Sequence, residues 1–216
     1  MNLHAAIKQG ALALGAFALV TAGSVGLIRA LTAERIATNV QVYQHQQLRE
    51  VLPPAVADVP LKRILEGAFP LPEPQALGHR APTQGWSVRS ADKNVVILPV
   101  VTREGYSGEI RLLVGIDDQQ RISGVRVTAH QETPGLGDNI ERRRSDWITT
   151  FNGLRLESLP ARGWAVKKDG GEFEAFTGAT ITPRAIVNAV HKALRYADRT
   201  PLPGVSDRED VEESAL

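Results

Sequence analysis

The chain has 216 residues, of which 43% are hydrophobic, enough to fill the core of one domain of ordinary size with additional segments. A formal net charge of +1 gives no reason to expect nucleic acid as a partner. The sequence contains no cysteine, which excludes disulfides, Cys-ligated iron–sulfur clusters and thioether-bound haem from this chain. If the chain carries electrons, an organic cofactor is the expected vehicle.

The first predicted element is a transmembrane anchor at residues 9–31. Residues 9–28 contain no charged side chain, and as a helix they span about 30 Å, the thickness of a bilayer core. A cleaved signal peptide is the alternative, but the apolar run exceeds the ~7 to 15 residues usual for such peptides. Arg29 also stands where a cleavage site would begin. Basic residues lie at both ends of the run, so charge does not decide its orientation.

A helical stalk and a Pro-rich linker are predicted at residues 32–85. Residues 32–52 are typical of a polar helix that is ended by two prolines, and residues 61–68 predict a short helix. Four prolines within residues 69–85 predict a loop. The folded domain is therefore expected to begin at residue 86.

Three apolar runs rich in β-branched residues predict strands at residues 94–102, 108–116 and 122–130. Turn residues separate the runs, so they predict an antiparallel meander. Apolar and polar residues alternate in the third strand, which predicts one buried and one more solvated face. Further on, a helix is predicted to begin within residues 138–144 and a short strand near residues 164–167.

The segment at residues 176–183, Phe-Thr-Gly-Ala-Thr-Ile-Thr-Pro, predicts the start of a helix. Thr182 is a favourable N-cap and Pro183 suits the first helical position, so we predict a helix over residues 183–198. With the preceding strands, this helix predicts an α+β domain that extends to residue 199. The tail at residues 200–216 is rich in acidic residues and is predicted to be disordered.

The same segment predicts an anion site. The free amides and the dipole of the helix favour a phosphate near Thr180. Gly178 and Ala179 let a bulky ligand approach the backbone. A capped turn without a ligand is the alternative interpretation.

This segment resembles the flavin-attachment signature of FMN-binding subunits in Rnf and sodium-pumping NADH:quinone reductase complexes, Asp-x-x-Ser/Thr-Gly-Ala-Thr. The last threonine of the signature, which carries FMN through a phosphoester bond, corresponds to Thr180, and Thr177 holds the Ser/Thr position. Glu174 stands at the aspartate position, and the resemblance implies that it takes part in recognition by a flavin transferase. In these families the transferase moves the FMN part of FAD onto the threonine, so Thr180 is a modified residue and not a catalytic nucleophile.

Further blocks resemble the RnfG family, also called RsxG. They lie at residues 105–108, 128–138, 145–148 and 164–171. In the resembling proteins the loop corresponding to residues 132–137 lies against the flavin, although an ordinary Pro-Gly turn is the alternative. Lys167 is expected to offset phosphate charge, with a solvated surface lysine as the alternative. The predicted cofactor contacts are Thr180, Thr177, Gly178, Ala179, Thr182, Thr133, Leu136, Gly137 and Lys167.

The resemblance implies an electron-transfer subunit of an Rnf/Rsx-type ion-translocating complex, with FMN covalently bound to Thr180. Such a redox subunit is not catalytic alone, and its partners are the other subunits of the complex, a flavin transferase and the membrane. It is expected in the bacterial inner membrane as a single-pass protein, with residues 1–8 in the cytoplasm and an FMN-binding domain at residues 86–199 in the periplasm.

Two other functions remain open from the sequence. One is a flavoprotein similar to the NqrC component of a sodium-pumping quinone reductase, and the other is a membrane-tethered binding or assembly module without flavin. No metal site is predicted, because the five histidines show no metal-ligand spacing. His130 is interpreted as a polar residue at a strand end.

Overall fold

A computed structural model describes residues 3–53, 56, 58–90 and 93–205. The chain divides into two compact units, Met1–Gln44 and His45–Leu216. The prediction of a disordered tail is wrong for residues 200–205, where Leu202 and Val205 are buried in the core, and it falls outside the described residues from position 206 onward.

Helix α1 (Leu3–Glu50) forms the described part of the first unit and continues into the second. Its segment Ile7–Ala33 has a mean hydropathy of 2.1 and is long and apolar enough to cross a membrane. In the part of the chain that the structure describes, this is the one helix with these properties. Its large apolar side chains are exposed, as expected for a surface that contacts lipid rather than water.

The second unit is built on a five-stranded antiparallel sheet whose strands neighbour one another in chain order. The strands are β1 (Ala68–Pro70), β2 (Gln84–Ser90), β3 (Lys93–Thr102), β4 (Ile110–Asp117) and β5 (Ile122–Ala129). The central pair, β3 and β4, is in register from Val95↔Asp117 to Thr102↔Ile110. The antiparallel meander predicted from the β-branched runs is confirmed as β3, β4 and β5.

Side chains that alternate along the central strands enter two cores, one on each face of the sheet. On one face, Val96 and Leu98 of β3 belong to the core that contains helix α3 (Ile181–Arg199). On the other face, Val95 and Ile97 pack with the end of α1 and with helix α2 (Leu61–Glu66). On β5, for which one more solvated face was predicted, Val125 is buried whereas Arg126 and Thr128 are partly exposed.

Val51, directly after α1, packs closely on the sheet because two glycines leave room for its backbone. A Cβ atom at Gly115 would lie 2.6 Å from the carbonyl oxygen of Val51, and one at Gly124 would lie 2.9 Å from the Cα atom of Val51. The Ser123 hydroxyl donates a hydrogen bond of 2.7 Å to the same carbonyl. The end of the predicted stalk thus contributes to the folded unit.

The prolines of residues 69–85 fit the edge of the sheet. Pro70 ends the short edge strand β1, which pairs with β2. Pro74 opens a 3₁₀ helix, Pro74–Leu77. Proline is tolerated at both places, because an edge strand and a helical first turn leave backbone N–H groups outside the ladder. The predicted loop therefore contains regular elements, and the folded unit begins before residue 86.

The segment between β5 and α3 is built from short 3₁₀ helices. The helix predicted to begin within residues 138–144 is the 3₁₀ helix Gly137–Ile140, in which Asp138 accepts the Gly135 N–H at 2.8 Å. The strand predicted near residues 164–167 is reduced to the single bridge Val166↔Phe173. This bridge is parallel, and the 3₁₀ helix Lys167–Asp169 and Gly170, at φ +86°, lie between its two partners.

Candidate functional site

A tight turn leads into α3 at the predicted attachment segment. The Ala179 N–H donates a 3.0 Å hydrogen bond to the Phe176 carbonyl, which closes a β-turn with Gly178 in its third position. Gly178 has φ +80°, the value that a type II turn requires there, and glycine adopts it without steric cost. The glycine of the signature therefore sets the direction from which the chain enters the helix.

Helix α3 begins at Ile181, and Thr180 is its N-cap residue. The prediction that Thr182 caps the helix and Pro183 opens it is therefore wrong. Instead of capping, the Thr182 hydroxyl donates a hydrogen bond to the Glu132 carboxylate. Pro183 still lies in the first turn, where its missing N–H breaks no helical hydrogen bond.

A cleft of about 460 Å³ lies beside the start of α3. Three segments build its wall: the loop between β3 and β4, the loop after β5, and the turn with the first residues of α3. The lining residues are Tyr106, Glu132, Thr133, Leu136, Gly137, Gly178, Ala179, Thr180, Ile181 and Thr182. This volume is typical of small-molecule sites.

Seven of the nine predicted cofactor contacts line this cleft. They are Thr180, Gly178, Ala179, Thr182, Thr133, Leu136 and Gly137. The other two, Thr177 and Lys167, are not among its lining residues. Contact with a flavin stays a prediction for all nine.

The three threonines of the attachment segment have different environments. Thr182 is 1% exposed and its hydroxyl is bonded to Glu132. Thr177 is exposed on the turn. Thr180 is half-buried in the cleft wall, and its side chain makes no capping hydrogen bond to the helix. Of the two that line the cleft, Thr182 is buried and bonded to Glu132, whereas Thr180 is partly exposed.

The carboxyl group of Glu132 joins the three segments that build the cleft. It is 4% exposed and accepts the N–H groups of Tyr106 at 3.3 Å and of Ser107 at 3.0 Å, together with the Thr182 hydroxyl. The sequence placed Glu132 in the loop expected to lie against the flavin but predicted no partner for its carboxylate. Its partners lie 25 to 50 residues away in the sequence, and no local pattern indicates such contacts.

Lys167 and Glu174 form an ion pair with each other. The hydrogen bond and the charge of Glu174 raise the pKa of Lys167 above its ordinary value. The backbone carbonyl of Glu174 accepts the indole N–H of Trp147 at 2.9 Å, and the Trp147 ring packs edge-on against Phe176 at 5.1 Å. The predicted cation and the predicted recognition residue are thus partners beside the turn, outside the cleft wall.

His130 directly follows β5 and orients the loop that carries Glu132. Its Nδ1 atom accepts the Glu132 N–H at 3.0 Å, so the proton of the neutral ring is on Nε2, which donates to Glu141 at 2.8 Å. The hydrogen bond from Arg143, and then that from His130, lower the pKa of Glu141 against the opposing effect of burial. Among the described residues, no group of three or more His, Cys, Asp or Glu is placed to hold a metal ion.

The cleft suits a ligand that combines an anionic group with a flat apolar ring system. The first turn of α3 offers amides and the positive end of a helix dipole beside Thr180. Tyr106 is 70% exposed, while Leu136 and Ile181 are each 43% exposed, and the three add apolar surface to the wall. A Cβ atom at Gly178 would reach within 3.6 Å of the Leu136 side chain, so glycine leaves this space free. These features fit FMN.

Comparison with known families defines the class of domain. Residues 105–195 match the family model described as FMN-binding domain, and this range contains all three segments of the cleft. Residues 1–51 match the model described as RnfG N-terminal region. The second unit therefore carries an FMN-binding domain.

Three relatives, each described as the G subunit of an ion-translocating oxidoreductase complex, are similar over most of their length. The relative from Pseudomonas aeruginosa is 48% identical over 88% of this chain and 88% of its own. Those from Cronobacter sakazakii and Vibrio cholerae are 45% and 43% identical, over 88% and 90% of this chain and 90% and 91% of their own. The chain belongs to the RnfG family, the G subunits of ion-translocating oxidoreductase complexes. The resemblance found in the sequence motifs is thereby confirmed.

One solved structure is similar at lower identity. It is the crystal structure of the C subunit of a Na⁺-translocating NADH-quinone reductase from Parabacteroides distasonis. The two chains are 18% identical with a TM-score of 0.47, over 71% of this chain and 90% of that one.

Proposed function

We propose that this chain is the flavin-carrying electron-transfer subunit of an Rnf/Rsx-type ion-translocating complex, with FMN bound to Thr180 through a phosphoester. The observation that carries the proposal is the position of Thr180, in the cleft wall at the N-cap of α3, with no capping hydrogen bond from its side chain. Family membership supports the complex, and the FMN-binding domain supports the cofactor.

In this proposal the residues of the cleft bind and orient the cofactor. The amides of the first turn of α3 and the helix dipole stabilise the phosphate next to Thr180. Leu136 packs on the ring system, and Thr133 hydrogen-bonds to the cofactor. Bound FMN supplies redox chemistry in steps of one or two electrons. The chain therefore acts as a carrier within a longer path and not as an enzyme on its own.

Attachment to Thr180 requires a separate enzyme. A threonine hydroxyl is a weak nucleophile at neutral pH, and the lining residues of the cleft include neither histidine nor lysine to activate it. A flavin transferase forms the bond between Thr180 Oγ1 and the FMN phosphorus of FAD, and AMP leaves. Glu174, exposed beside the turn, is the proposed recognition residue.

We further propose that α1 anchors the chain once in the bacterial inner membrane, with residues 1–8 in the cytoplasm and the second unit in the periplasm. The length and hydropathy of Ile7–Ala33 support the anchor. The other subunits of the complex are the proposed partners, and the relatives that are named as complex subunits support this.

Coexpression of the full chain with a flavin transferase tests the proposal. We expect the wild-type chain to give a fluorescent flavin band that survives denaturing electrophoresis, and Thr180→Val to give none. Thr128→Val, on β5 outside the cleft, is the matched control and keeps the band. A wild-type chain that stays non-fluorescent beside an active transferase contradicts the proposal and favours a membrane-tethered binding module.

A further inference from the structure

The buried carboxylate of Glu132 connects cleft segments that lie far apart in the sequence. Glu132 follows β5, whereas its donors lie in the loop between β3 and β4 and in the first turn of α3. One oxygen, Oε1, accepts the Ser107 N–H, and the other, Oε2, accepts the Tyr106 N–H and the Thr182 hydroxyl. All three donors are uncharged, so this is a hydrogen-bonded junction rather than an ion pair.

Two glycines are packed around this junction. A Cβ atom at Gly105 would lie 2.8 Å from Glu132 Oε1, and one at Gly137 would lie 2.8 Å from the Glu132 Cβ atom. These distances are shorter than real Cβ contacts allow, so both loops approach the carboxylate as closely as their backbones permit. The junction therefore has little room to rearrange while the carboxylate is in place.

We infer that Glu132 is a positioning residue, which fixes the Tyr106–Ser107 loop against the start of α3 and so sets the geometry of the cleft around Thr180. The inference rests on the proposed function where it concerns the flavin. Glu132 acts through Thr182, two residues beyond the attachment threonine on the same helix turn. Its carboxylate also lies in the wall of the cleft, where its negative charge would be close to a bound flavin.

Glu132→Gln tests the junction with a side chain of nearly the same volume. Each carboxylate oxygen accepts a backbone N–H, so the glutamine amide must turn its NH₂ group toward one of them. Two donors then face each other, and at least one backbone N–H loses its partner. The substitution therefore opens the junction without creating a cavity.

Asp138→Asn is the matched control. Asp138 is also 4% exposed, lies in the same loop, and accepts the Gly135 N–H while pairing with Arg144. It does not line the cleft. Loss of its charge is expected to destabilise the unit but to leave the Tyr106–Ser107 loop in place.

Hydrogen exchange of the flavin-free full chain in detergent measures the junction directly. We expect the amide of Tyr106 or that of Ser107, whichever faces the glutamine NH₂ group, to exchange about tenfold faster or more in Glu132→Gln, because its acceptor is lost. Asp138→Asn keeps an oxygen that accepts the Gly135 N–H, so the amides of Gly135, Tyr106 and Ser107 are expected to stay protected. Unchanged protection of Tyr106 and Ser107 in Glu132→Gln would overturn the inference.

The rate of flavin attachment measures how the loss of this junction affects the site. With the transferase, we expect flavin attachment to Glu132→Gln to be at least about tenfold slower than to the wild type. The reason is that the transfer requires the Thr180 hydroxyl to be held in position. The remaining flavin is expected to have a higher midpoint potential than in the wild type, because a nearby negative charge disfavours added electrons. Asp138→Asn should change neither quantity.

Two substitutions of Thr182 test whether its hydroxyl donor is needed for flavin attachment. Thr182→Val removes the hydroxyl donor and is expected to slow attachment, while Thr182→Ser keeps the donor and restores the wild-type rate. Equal loss of attachment in Glu132→Gln and Asp138→Asn, or no difference between the two Thr182 variants, would overturn the inference. A wild-type chain that takes no flavin would defeat the proposed function instead, and the exchange comparison would still decide the role of Glu132.

Discussion

At the scale of single residues, Gly178 of the signature allows a backbone conformation that other residues rarely adopt. Its φ of +80° lies in the left-handed region, and nothing but the Leu136 side chain comes within 4 Å of the place where a Cβ atom would be. Strain rather than crowding therefore opposes a side chain here.

We predict that Gly178→Ala destabilises the second unit by about 1 kcal/mol, because alanine must adopt a positive φ. Urea unfolding of the full chain in detergent, followed by tryptophan fluorescence, measures the change, since all three tryptophans lie in this unit. Gly178→Asn is the control and is expected to cost less, because asparagine adopts this region more readily. A cost for Gly178→Asn that equals or exceeds that of Gly178→Ala would contradict backbone strain as the cause.

At this scale the sequence pointed to a segment that the structure places in the cleft wall, but it misjudged one cap. Small residues, hydroxyls and a proline in series predicted an anion site, and the family resemblance predicted attachment at Thr180; both stay predictions. The same hydroxyl logic made Thr182 the N-cap, whereas its hydroxyl is bonded to Glu132, 50 residues earlier in the chain. Capping preferences depend on neighbouring residues, so they cannot predict a hydrogen bond to an acceptor as distant in sequence as Glu132.

At the scale of elements, the docking of the end of α1 on the sheet depends on Gly115 and Gly124. Gly124→Ala is predicted to destabilise the second unit by about 1–3 kcal/mol, because its Cβ atom would lie 2.9 Å from Val51 Cα. Urea unfolding measures the change. The backbone of Val51, directly after α1, cannot yield as a flexible side chain would.

Thr128→Ala, on the same strand β5, is the control for that prediction. The Thr128 side chain is half-buried and donates to the Arg111 carbonyl at 3.2 Å, so its removal is expected to cost about 1 kcal/mol or less. If Gly124→Ala costs no more than this control, the close packing of α1 on the sheet is contradicted.

Prediction of the elements from the sequence succeeded where the pattern was regular. The three β-branched runs became β3, β4 and β5, and α3 was recovered with its boundaries shifted by only a few residues. The edge strand β1 and the 3₁₀ helix at Pro74 were interpreted as a loop, because prolines mark a loop and a sheet edge equally. The second core was missed because its helical side comes from residues assigned to a stalk.

At the scale of the whole molecule, stability is expected to fall as the pH drops from 7. Burial, and then the charge of Arg195, lower the pKa of His191 below its ordinary value of 6.5, and the ring stacks on Trp164 at 5.2 Å. The unfolded chain therefore takes up the proton first, so this contribution is present above pH 6.5 and is lost as the pH falls below it.

His191→Phe tests this pH dependence, because phenylalanine keeps an aromatic ring against Trp164 and removes the titrating group. Urea unfolding at pH 7 and at pH values below 6.5 is expected to show a smaller loss of stability for the variant than for the wild type. An equal loss in both proteins would contradict the assignment to His191.

The orientation of the chain in the membrane can be tested by labelling single introduced cysteines, because the sequence contains no cysteine of its own. A membrane-impermeant maleimide is expected to label Gln119→Cys, on the exposed β4–β5 turn, in cells whose outer membrane is permeabilised. His4→Cys, before the apolar segment, is expected to be labelled only after lysis. The reverse pattern would contradict a periplasmic second unit.

The central claim is that Thr180 carries the flavin, and peptide mass spectrometry of the chain coexpressed with its transferase tests it most directly. The peptide that contains Thr180 is predicted to gain about 438 Da, the mass of FMN less one water. Fragmentation is predicted to place this mass on Thr180 and on neither Thr177 nor Thr182. An unmodified peptide beside an active transferase, or a mass on another threonine, would contradict the account.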